Sequence, residues 1–361
     1  MAIKVLFDHQ TFSLQKFGGI SRYFCELMKN LPEDIVYQNS GLFSNNIYIQ
    51  ENFKGLYKEF FPQKEFIGKR TMINFPNKID SLIKCSTSNY DVFHPTYYDH
   101  YFLKINKKPF VLTVHDLAHE KFPLLFKNDP ALEFKKQIIY KADHIIAISE
   151  FTKKELLLFY NKLNPDRISV IHHGSSLSLK KGILLTNKEN YLLFTGSRAG
   201  YKNFDFLIVA ISSLLIKYDI KLICTGSPFS MQELILFKEN KILDFVLHQY
   251  VSDDELFSLY SNALAFLFPS FYEGFGIPIL EAFEASCPLV LSNSSCFPEI
   301  AGDAALYFDP HNATEINQSV ERIITDLNLR ETLVQKGKER LQLFNWSQTA
   351  LLTSKVYEKL V

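Results

Sequence analysis

Two glutamates, Glu273 and Glu281, lie eight positions apart in the stretch FPSFYEGFGIPILEAFEAS, residues 268–286. The glycines between them allow a close approach of backbone to a ligand, and the proline suits the first turn of a helix. The free N–H groups of a helix start favour an anion such as phosphate. Because a carboxylate repels phosphate, we expect the glutamates to accept hydrogen bonds from neutral hydroxyls, such as those of a sugar and a ribose. A nucleotide-sugar suits all of these groups. The structural alternative is a turn glutamate followed by a solvated helix glutamate.

Two cations follow another strand-like run, in the stretch LLFTGSRAGYKNFDFLI. Arg198 and Lys202 stand near Gly196 and Gly200, where the next helix begins. Arginine binds phosphate oxygens through its planar fork and lysine binds them as a point charge, so the pair suits a diphosphate. Two solvated loop residues are the alternative interpretation.

The first half of the chain offers further candidates. Gly18 and Gly19 directly precede an amphipathic helix, which is typical either of a backbone loop near a diphosphate or of a simple helix cap. His115 ends a strand-like run, where a contact with substrate and a structural hydrogen bond are both expected roles. Its i, i+4 partner His119 lacks the sequence context of a zinc site, so no metal is expected.

Short apolar runs alternate with helical patterns along the chain. Continuous runs of this kind predict parallel strands that are covered on both faces, and two successive sets predict two Rossmann-like, doubly wound domains. In such sheets ligands bind at the carboxyl ends of the strands. The predicted strands are Lys4–Asp8, Ile35–Asn39, Tyr90–Pro95, Phe110–His115, His144–Ser149, Ile168–His172, Tyr191–Thr195, Lys221–Thr225, Phe245–Tyr250, Ala263–Phe268, Leu289–Ser292 and Ala305–Phe308.

The domain boundary is predicted where Ser, Lys and Gly cluster without periodicity, near residues 175–190. We therefore expect an N-terminal, acceptor-binding domain over residues 1–180 and a nucleotide-sugar-binding domain over residues 188–345. A C-terminal helix at about residues 346–361 is expected to pack back on the first domain.

Composition narrows the class of protein. The 361 residues contain 39 Lys and Arg and 39 Asp and Glu, so no global field draws the chain to nucleic acid or membrane. The five cysteines form no C-x-x-C pair, which favours a reducing compartment. No signal peptide is recognisable, and no apolar run approaches the roughly 18 residues of a membrane span. These features predict a soluble, cytoplasmic protein.

Residues 51–84 contain seven basic and four acidic residues, together with many aromatic ones. One interpretation is a surface that docks on the anionic inner face of the membrane beside a lipid-linked acceptor. Ordinary helix and loop surface is the other.

The motifs together resemble a known family. The stretch EGFGIPILE, with Glu273 and Glu281, resembles the E-x7-E motif of the retaining, GT-B-fold glycosyltransferases of family 4. GSR-x3-KN resembles the diphosphate-binding pair of that family, and FGGISRYF, TVHDL, AISEFTKKEL and VIHHG resemble its bacterial mannosyltransferase-like members. The resemblance covers nearly the whole chain in the family's order. It implies an α/β protein with the GT-B fold, in which two Rossmann-like doubly wound domains face a central cleft.

The resemblance also implies roles for single residues. Glu273 would contact the transferred sugar near its reacting carbon, and Glu281 would bind the ribose diol. Arg198 and Lys202 would hold the diphosphate, and His115 would touch hydroxyls of the sugar. The implied catalytic set is Glu273, His115, Arg198 and Lys202. The implied donor-binding set is Gly18, Gly19, Arg198, Lys202, Val251, Glu273, Phe275, Gly276, Ile277 and Glu281.

One position departs from the family pattern, since Ser286 in EAFEASCPLV stands where glycine is common. We expect this to affect helix packing and not the chemistry.

The general base that an inverting enzyme needs cannot be assigned in this sequence. Both routes that remain, attack by a Glu273 nucleophile or same-face transfer assisted by the departing diphosphate, retain the configuration of the sugar.

The expected function is therefore a retaining hexosyltransferase of polysaccharide, lipopolysaccharide or capsule biosynthesis. It would move a hexose, with mannose from GDP-mannose as first choice and UDP-hexoses next, to a glycan or lipid-linked acceptor. We expect no metal, no other cofactor and no nucleic-acid partner. One alternative is a GT-B-fold sugar-nucleotide epimerase or phosphorylase. Another is a catalytically silent nucleotide-sugar-binding subunit, which would be expected to lack Glu273, Arg198 or Lys202.

Overall fold

A computed structural model describes residues 2–127, 129–175, 190–198 and 200–361. The chain divides into two compact units, one formed by Met1–Gly174 with Trp346–Val361 and the other by Ser175–Asn345. Most of the segment in which the domain boundary was predicted, residues 176–189, lies outside the described residues. Each predicted run overlaps a strand whose ends differ from the prediction by two residues at most.

The first unit is built from parallel strands with helices between them. Its strands are β1 (Ile3–Phe7), β2 (Ile35–Asn39), β3 (Val92–His94), β4 (Val111–Val114), β5 (His144–Ala147) and β6 (Ile168–Val170). Its α-helices are α1 (Gln10–Leu14), α2 (Gly19–Asn30), α3 (Ile47–Asn52), α4 (Lys69–Thr87), α5 (Ala118–Lys121), α6 (Ala131–Ile139), α7 (Glu150–Phe159) and, at the C-terminus, α15 (Trp346–Glu358); Tyr101–Lys104 and Pro165–Arg167 form 3-10 turns.

The central residues of β1 are apolar because both faces of this strand are covered. Val5 and Phe7 of β1 belong to one buried cluster, whereas Leu6 belongs to the cluster on the opposite face. The C-terminal helix α15 adds Tyr357 to the first of these clusters. The Tyr357 hydroxyl also lies 2.7 Å from Nδ1 of His94, so the helix is held by packing and by a buried hydrogen bond.

The sheet of the first unit is less continuous than the sequence pattern predicts. Strands pair in the orders β2-β1-β3 and β4-β5-β6, and β3 is joined to the second group by a single bridge between Phe93 and Phe110. The carbonyl of Pro109 accepts a hydrogen bond of 2.9 Å from the Phe93 N–H. Extending this parallel ladder would need an N–H from Pro109 on one side of the bridge and from Pro95 on the other, and proline has none.

The second unit has one six-stranded parallel sheet. Its strands are β7 (Tyr191–Phe194), β8 (Lys221–Thr225), β9 (Val246–Gln249), β10 (Ala265–Phe268), β11 (Leu289–Ser292) and β12 (Leu306–Phe308). Its α-helices are α8 (Phe204–Tyr218), α9 (Met231–Glu239), α10 (Asp253–Asn262), α11 (Ile277–Glu284), α12 (Phe297–Ala301), α13 (Ala313–Thr325) and α14 (Leu327–Leu341), and Gly200–Lys202 forms a 3-10 turn.

The strand order of this sheet is β12-β11-β10-β7-β8-β9. The chain moves outward in one direction from β7 through β8 and β9, and in the other through β10, β11 and β12. The order therefore reverses between β7 and β10. In open parallel sheets, ligands bind outside the carboxyl ends of the strands at this switch point, so the loops after β7 and β10 are the place to look for a site.

Among the described residues, no helix combines the length and apolar character needed to cross a bilayer.

Candidate functional site

An ion pair lies at the switch point of the second unit. Lys202 ends the turn that follows β7, and Glu273 lies in the loop that follows β10. The Lys202 ammonium nitrogen is 2.6 Å from Oε1 of Glu273, and both side chains are mostly buried. Two residues that are 71 positions apart in the sequence, and that were predicted separately, are thus in direct contact.

Neighbouring serines fix the position of Glu273. The buried hydroxyl of Ser270 donates to the same carboxylate oxygen, Oε1, over 2.8 Å, and the Glu273 N–H donates to the Ser295 hydroxyl over 3.2 Å. Ser292 in turn donates to the Ser270 carbonyl over 2.5 Å. Oε1 is therefore occupied by two donors from the protein, which leaves Oε2 as the oxygen available to a ligand.

Helix α11 begins directly after this loop. Gly276 is its N-cap and has a φ of 85°, a left-handed conformation that favours glycine. A Cβ at this position would lie 3.1 Å from side-chain atoms of both Ile279 and Phe297, so space is limited as well. No side chain caps this helix start. The backbone amides of Gly276 and Ile277 therefore remain suited to an anion, as the sequence predicts.

Glu281, on the first turns of α11, is buried and part of a hydrogen-bonded chain. The Tyr260 hydroxyl donates to its Oε2 over 3.2 Å, and the Thr195 hydroxyl at the end of β7 lies 3.2 Å from the Tyr260 oxygen. Burial and the Glu281 carboxylate raise the pKa of Tyr260 well above its usual range, so this phenol stays protonated as a donor. The second glutamate of the E-x7-E pair is therefore held in place, not solvated.

Arg198 is mostly buried and bound to groups of the protein, so it is not the solvated loop residue of the alternative interpretation. Its Nε donates to Oε1 of Glu233 over 2.6 Å, and its Nη2 donates to the carbonyls of Ser227 and Pro228 over 2.6 and 2.9 Å. Burial opposes the charge of Glu233, yet the hydrogen bonds from Arg198 and Ser230 lower the pKa of its carboxyl. Arg198 thus connects β7 to the loop after β8, and only Lys202 of the basic pair contacts Glu273.

The loop after β9 lines a cavity of about 420 Å³. Val251 and Tyr250 belong to its wall, and the Tyr250 side chain is 73% exposed. An exposed aromatic ring next to a cavity suits a planar base. Phe275, by contrast, is buried and its ring packs edge-on against Phe344 at 6.0 Å. Any contact of Phe275 with a donor would therefore come from its backbone and not from its ring.

Ser286, the departure from the family pattern, follows α11 with a φ of 55°. This is the left-handed conformation in which glycine is unstrained, and it costs other residues on the order of 1 kcal/mol. The departure therefore affects the end of the helix, while the site lies at its start.

Gly18 and Gly19 form the start of α2 in the first unit. Gly18 is the N-cap and has no side chain to cap the helix; instead, Oε1 of Gln15 accepts a hydrogen bond of 3.2 Å from the Ser21 N–H. A Cβ on Gly18 would lie 2.6 Å from the same Gln15 oxygen. The glycines therefore already have a local capping role, and a diphosphate contact would be additional.

His115 follows β4 and is buried. Its ring packs edge-on against Tyr23, with centroids 5.0 Å apart, and its Nε2 has no hydrogen-bond partner among the described residues. Burial lowers the pKa of His115 to about 4, so the ring is neutral at pH 7. A buried nitrogen without a partner is costly, and a ligand hydroxyl would satisfy it.

His119 lies apart from this ring, and its Nε2 is 3.3 Å from Oδ2 of Asp129. The described residues contain no cluster of three metal-ligating side chains.

The sequence pattern missed several residues that shape the site. Ser270, Ser295, Tyr260 and Glu233 all hold a predicted residue in place. Two of them gave a signal that sequence reasoning could have used: Ser270 lies three positions before Glu273 at the end of a strand, and Glu233 has capping-box spacing from Ser230.

Comparisons with known proteins follow the same division of the chain. Residues 17–179 match Glycosyltransferase Family 4, and residues 177–340 match Glycosyl transferases group 1. The chain is 30% identical over 215 residues to the O-antigen chain mannosyltransferase RfbU of Salmonella typhimurium, an alignment that spans 59% of this chain and 60% of that enzyme. It is 28% identical over 268 residues to the O-antigen chain mannosyltransferase B of Escherichia coli, covering 69% of this chain and 70% of the relative.

Solved structures share the fold at lower identity. Sucrose-phosphate synthase from Thermosynechococcus elongatus superposes with a TM-score of 0.76 at 18% identity, over 100% of this chain and 99% of that one. Anabaena Alr3699/HepE, solved in complex with UDP and glucose, superposes with a TM-score of 0.76 at 16% identity, over 99% of this chain and 100% of that one. The GT-B fold expected from the motifs is thereby confirmed. The chain belongs to the group 1 glycosyltransferases and is similar to the mannosyltransferases of family 4.

Proposed function

We propose that this protein transfers a hexose, with mannose the first choice, from a nucleotide-diphospho-sugar to a glycan or lipid-linked acceptor. The observation that carries the proposal is the contact of Lys202 with Glu273 at the switch point, beside the uncapped start of α11. The named mannosyltransferases of O-antigen chains support mannose and a role in polysaccharide or lipopolysaccharide synthesis.

In the proposed donor complex, the diphosphate lies between Lys202 and the amides at the start of α11. Positive charge on both sides suits this anion. Glu281 accepts hydrogen bonds from the ribose diol, and the base lies along the cavity beside Val251. GDP-mannose is the first choice of donor.

Lys202 is expected to keep its contact with Glu273 when the donor binds. An ammonium group has three N–H donors, so it can donate to the carboxylate and to phosphate oxygens at the same time. Arg198 must share its guanidinium with Glu233 to reach a phosphate. We therefore assign Lys202 the larger share of diphosphate stabilisation.

The proposed reaction retains the configuration at the anomeric carbon. The bond between this carbon and the diphosphate oxygen breaks, and Lys202 and the helix start stabilise the departing charge. The acceptor hydroxyl attacks from the same face and gives its proton to the diphosphate oxygen. Oε2 of Glu273 orients the sugar and stabilises positive charge at the anomeric carbon; a covalent Glu273 intermediate is the other retaining route.

The proposal needs no metal ion or other cofactor, because these groups supply the positive charge that a leaving diphosphate requires. The neutral His115 is assigned a hydrogen bond with a sugar hydroxyl, which its unpartnered Nε2 supports. All five cysteines are free and buried, which supports a reducing compartment such as the cytoplasm as the place of the reaction.

We further propose that the first unit binds the inner face of an anionic membrane through α4. Exposed apolar side chains recur at i, i+3 and i+4 spacing on this helix, which places them on one face. We call these four residues the apolar stripe: Met72, Phe75, Ile79 and Ile83, exposed by 53%, 66%, 43% and 53%.

Charge and neighbouring side chains support the membrane proposal. The preceding loop exposes Phe61, Phe66 and Ile67, by 55%, 41% and 103%. Residues 51–84 carry seven basic against four acidic residues, an excess that favours anionic lipid by roughly 1 kcal/mol for each uncompensated cation near the surface. Apolar area together with basic charge is typical of peripheral membrane binding.

The first prediction concerns Lys202. Replacing Lys202 with Ala removes a cation from both the diphosphate and Glu273, and we expect the rate of sugar transfer to fall on the order of a hundredfold or more, or about 3 kcal/mol. Lys217→Ala is the matched control, because this exposed lysine pairs with Glu321 elsewhere in the same unit. Transfer is measured with labelled GDP-mannose on variants whose circular dichroism matches the wild type. A near-wild-type rate for Lys202→Ala would remove Lys202 from the site.

The second prediction concerns stereochemistry. An α-linked donor should give an α-linked product, because both proposed routes retain configuration. The one-bond coupling constant between C1 and H1 of the transferred sugar, measured by NMR, reports the linkage directly, including for mannose. A β-linked product from an α-linked donor contradicts the mechanism and the roles given to Glu273 and Lys202.

The third prediction concerns the apolar stripe. We expect the wild type to co-sediment at low salt with vesicles of phosphatidylglycerol and phosphatidylcholine, and less with phosphatidylcholine alone. The double variant Ile79→Glu, Ile83→Glu should lose this binding, since it places acidic groups on the docking face. Leu158→Glu is the control, because Leu158 is 69% exposed on α7, outside the stripe. Absence of wild-type binding to the anionic vesicles would end the membrane proposal.

A further inference from the structure

A fully buried lysine, Lys135 of α6, lies against the loop that follows β4. Its side chain is 0% exposed, and lysine is almost never buried in this way unless its charge is paired. A buried ammonium group paired with a carboxylate often stabilises a fold no more than two well-packed apolar residues would, because both charges lose their hydration. The free energy of unfolding alone therefore does not explain a lysine at this position.

Three groups surround the Lys135 ammonium. It donates to the Asp116 carbonyl over 2.8 Å and to Oε2 of Glu120 over 3.1 Å, and it lies 4.7 Å from the centroid of the Tyr98 ring, a distance typical of a cation–π contact. The Tyr160 hydroxyl donates to the other oxygen of Glu120 over 2.7 Å. Because Glu120 is itself held, the ammonium group is restricted to one position.

These contacts fix the loop on both sides of the peptide bond between His115 and Asp116. The His115 N–H donates to the Tyr98 hydroxyl over 3.2 Å, and the Asp116 carbonyl accepts from Lys135. The Asp116 carboxylate accepts a further hydrogen bond of 3.0 Å from the Ala118 N–H. Lys135 therefore acts on this segment twice, directly at the Asp116 carbonyl and indirectly through the ring that carries the Tyr98 hydroxyl.

Lys135 also acts on the charge of the segment. Its ammonium nitrogen lies 4.0 Å from Oδ1 of Asp116. Burial opposes the charge of Asp116, yet Lys135 and the hydrogen bond from Ala118 lower the pKa of its carboxyl. The carboxylate therefore stays ionised next to the neutral His115 ring, and it remains a charged acceptor at the start of α5.

The side chain that this segment carries into the candidate site is His115. Its ring packs edge-on against Tyr23 and Phe24, with ring centroids 5.0 and 6.1 Å away, and its Nε2 has no hydrogen-bond partner among the described residues. The direction of Nε2 follows from the backbone that carries the ring. A misplacement of about 1 Å can cost on the order of a hundredfold in rate, so a loop that moves would weaken transfer even with His115 present.

We propose that Lys135 is a positioning residue for sugar transfer: it fixes the loop at His115 and Asp116 and thereby directs Nε2 of His115 at the sugar. The inference rests on the proposed function, which assigns His115 a hydrogen bond with a sugar hydroxyl. Because its side chain is fully buried, Lys135 acts through this loop and not by touching the substrate.

The main test variant removes the buried ion pair as a whole. Lys135→Met alone would leave the Glu120 carboxylate buried without its cation. It is therefore combined with Glu120→Gln, which keeps an acceptor for the Tyr160 hydroxyl. This double variant removes the contact with the loop without leaving an uncompensated charge.

Two further variants complete the set. Lys136→Met is the matched control, since it makes the same substitution at the next position of α6, where an exposed lysine pairs with the exposed Glu133. Tyr98→Phe is a second test variant, because it keeps the ring beside Lys135 and removes only the hydroxyl that binds the His115 N–H.

The first experiment observes His115 by NMR without any transfer. Histidine is isotope-labelled at Cε1, and the His115 signal is assigned by its loss in His115→Gln. We expect one sharp signal in the wild type and in Lys136→Met. In the double variant and in Tyr98→Phe the signal should broaden or split, because the loop then has more than one conformation. The signal of His248, in the second unit, should stay unchanged. A single sharp His115 signal in both test variants overturns the proposal.

The second experiment measures transfer in a double-mutant cycle. The kcat for sugar transfer should fall about tenfold or more in the double variant, while the Kd for GDP stays within about twofold of wild type, because Lys135 is assigned no contact with the nucleotide. Since Lys135 acts through His115, the same change made in His115→Ala should lower kcat by less than about threefold. Lys136→Met should match the wild type.

The outcomes separate the role of Lys135 from the proposed function. If the wild type transfers no sugar, the proposed function fails, and the His115 signal still decides whether Lys135 fixes the loop. If His115→Ala lowers kcat and the double variant does not, or if the two losses multiply in full, the role of Lys135 fails alone. If His115→Ala transfers like the wild type, the roles of both residues are contradicted.

Discussion

The ion pair between Lys202 and Glu273 is the interaction on which the candidate donor site depends. It links the loops after two adjacent strands, β7 and β10, at the point where the strand order of the sheet reverses. A buried carboxylate needs a cationic partner, and removing one member leaves the other charge uncompensated. The pair therefore places a cation beside Glu273 at the strand ends where the proposed donor would bring its phosphates. In the proposed donor complex, Lys202 donates to both the Glu273 carboxylate and the diphosphate, since an ammonium group has three N–H donors.

The surroundings of the pair show how the fold prepares this site before any ligand binds. Ser270 and Ser295 fix Glu273, and Tyr260 fixes Glu281. Groups held in this way do not reorganise when charge develops, and this is the main source of electrostatic catalysis. In the first unit, the candidate site residue His115 is neutral instead of charged. Burial keeps His115 neutral, so the ring can exchange hydrogen bonds with hydroxyls but adds no positive charge at neutral pH.

Sequence alone predicted the strands well, because a strand covered on both faces must be apolar at every position, as the opposite packing of Leu6 and Phe7 illustrates. It also placed Glu273 and Lys202 in loops that follow strands, and such loops converge at one edge of a parallel sheet, where the two side chains meet. Their role in donor binding stays a prediction. It did not predict that Arg198 binds Glu233, since that contact depends on the geometry of two loops 35 positions apart. The interrupted sheet of the first unit was also missed, because prolines on either side of the single bridge lack the N–H groups that would extend the ladder, and this leaves no periodic signal.

The central claim is that the strand ends of the second unit bind a nucleoside diphosphate through Lys202. Calorimetric titration of GDP, UDP and dTDP into the wild type and into Lys202→Ala tests this most directly. We expect GDP to bind the wild type more tightly than the other two, and to bind Lys202→Ala about tenfold or more weakly, while guanosine without phosphates shows no difference between the two proteins. The account is contradicted if none of the three diphosphates binds the wild type, or if GDP binds Lys202→Ala as tightly as it binds the wild type.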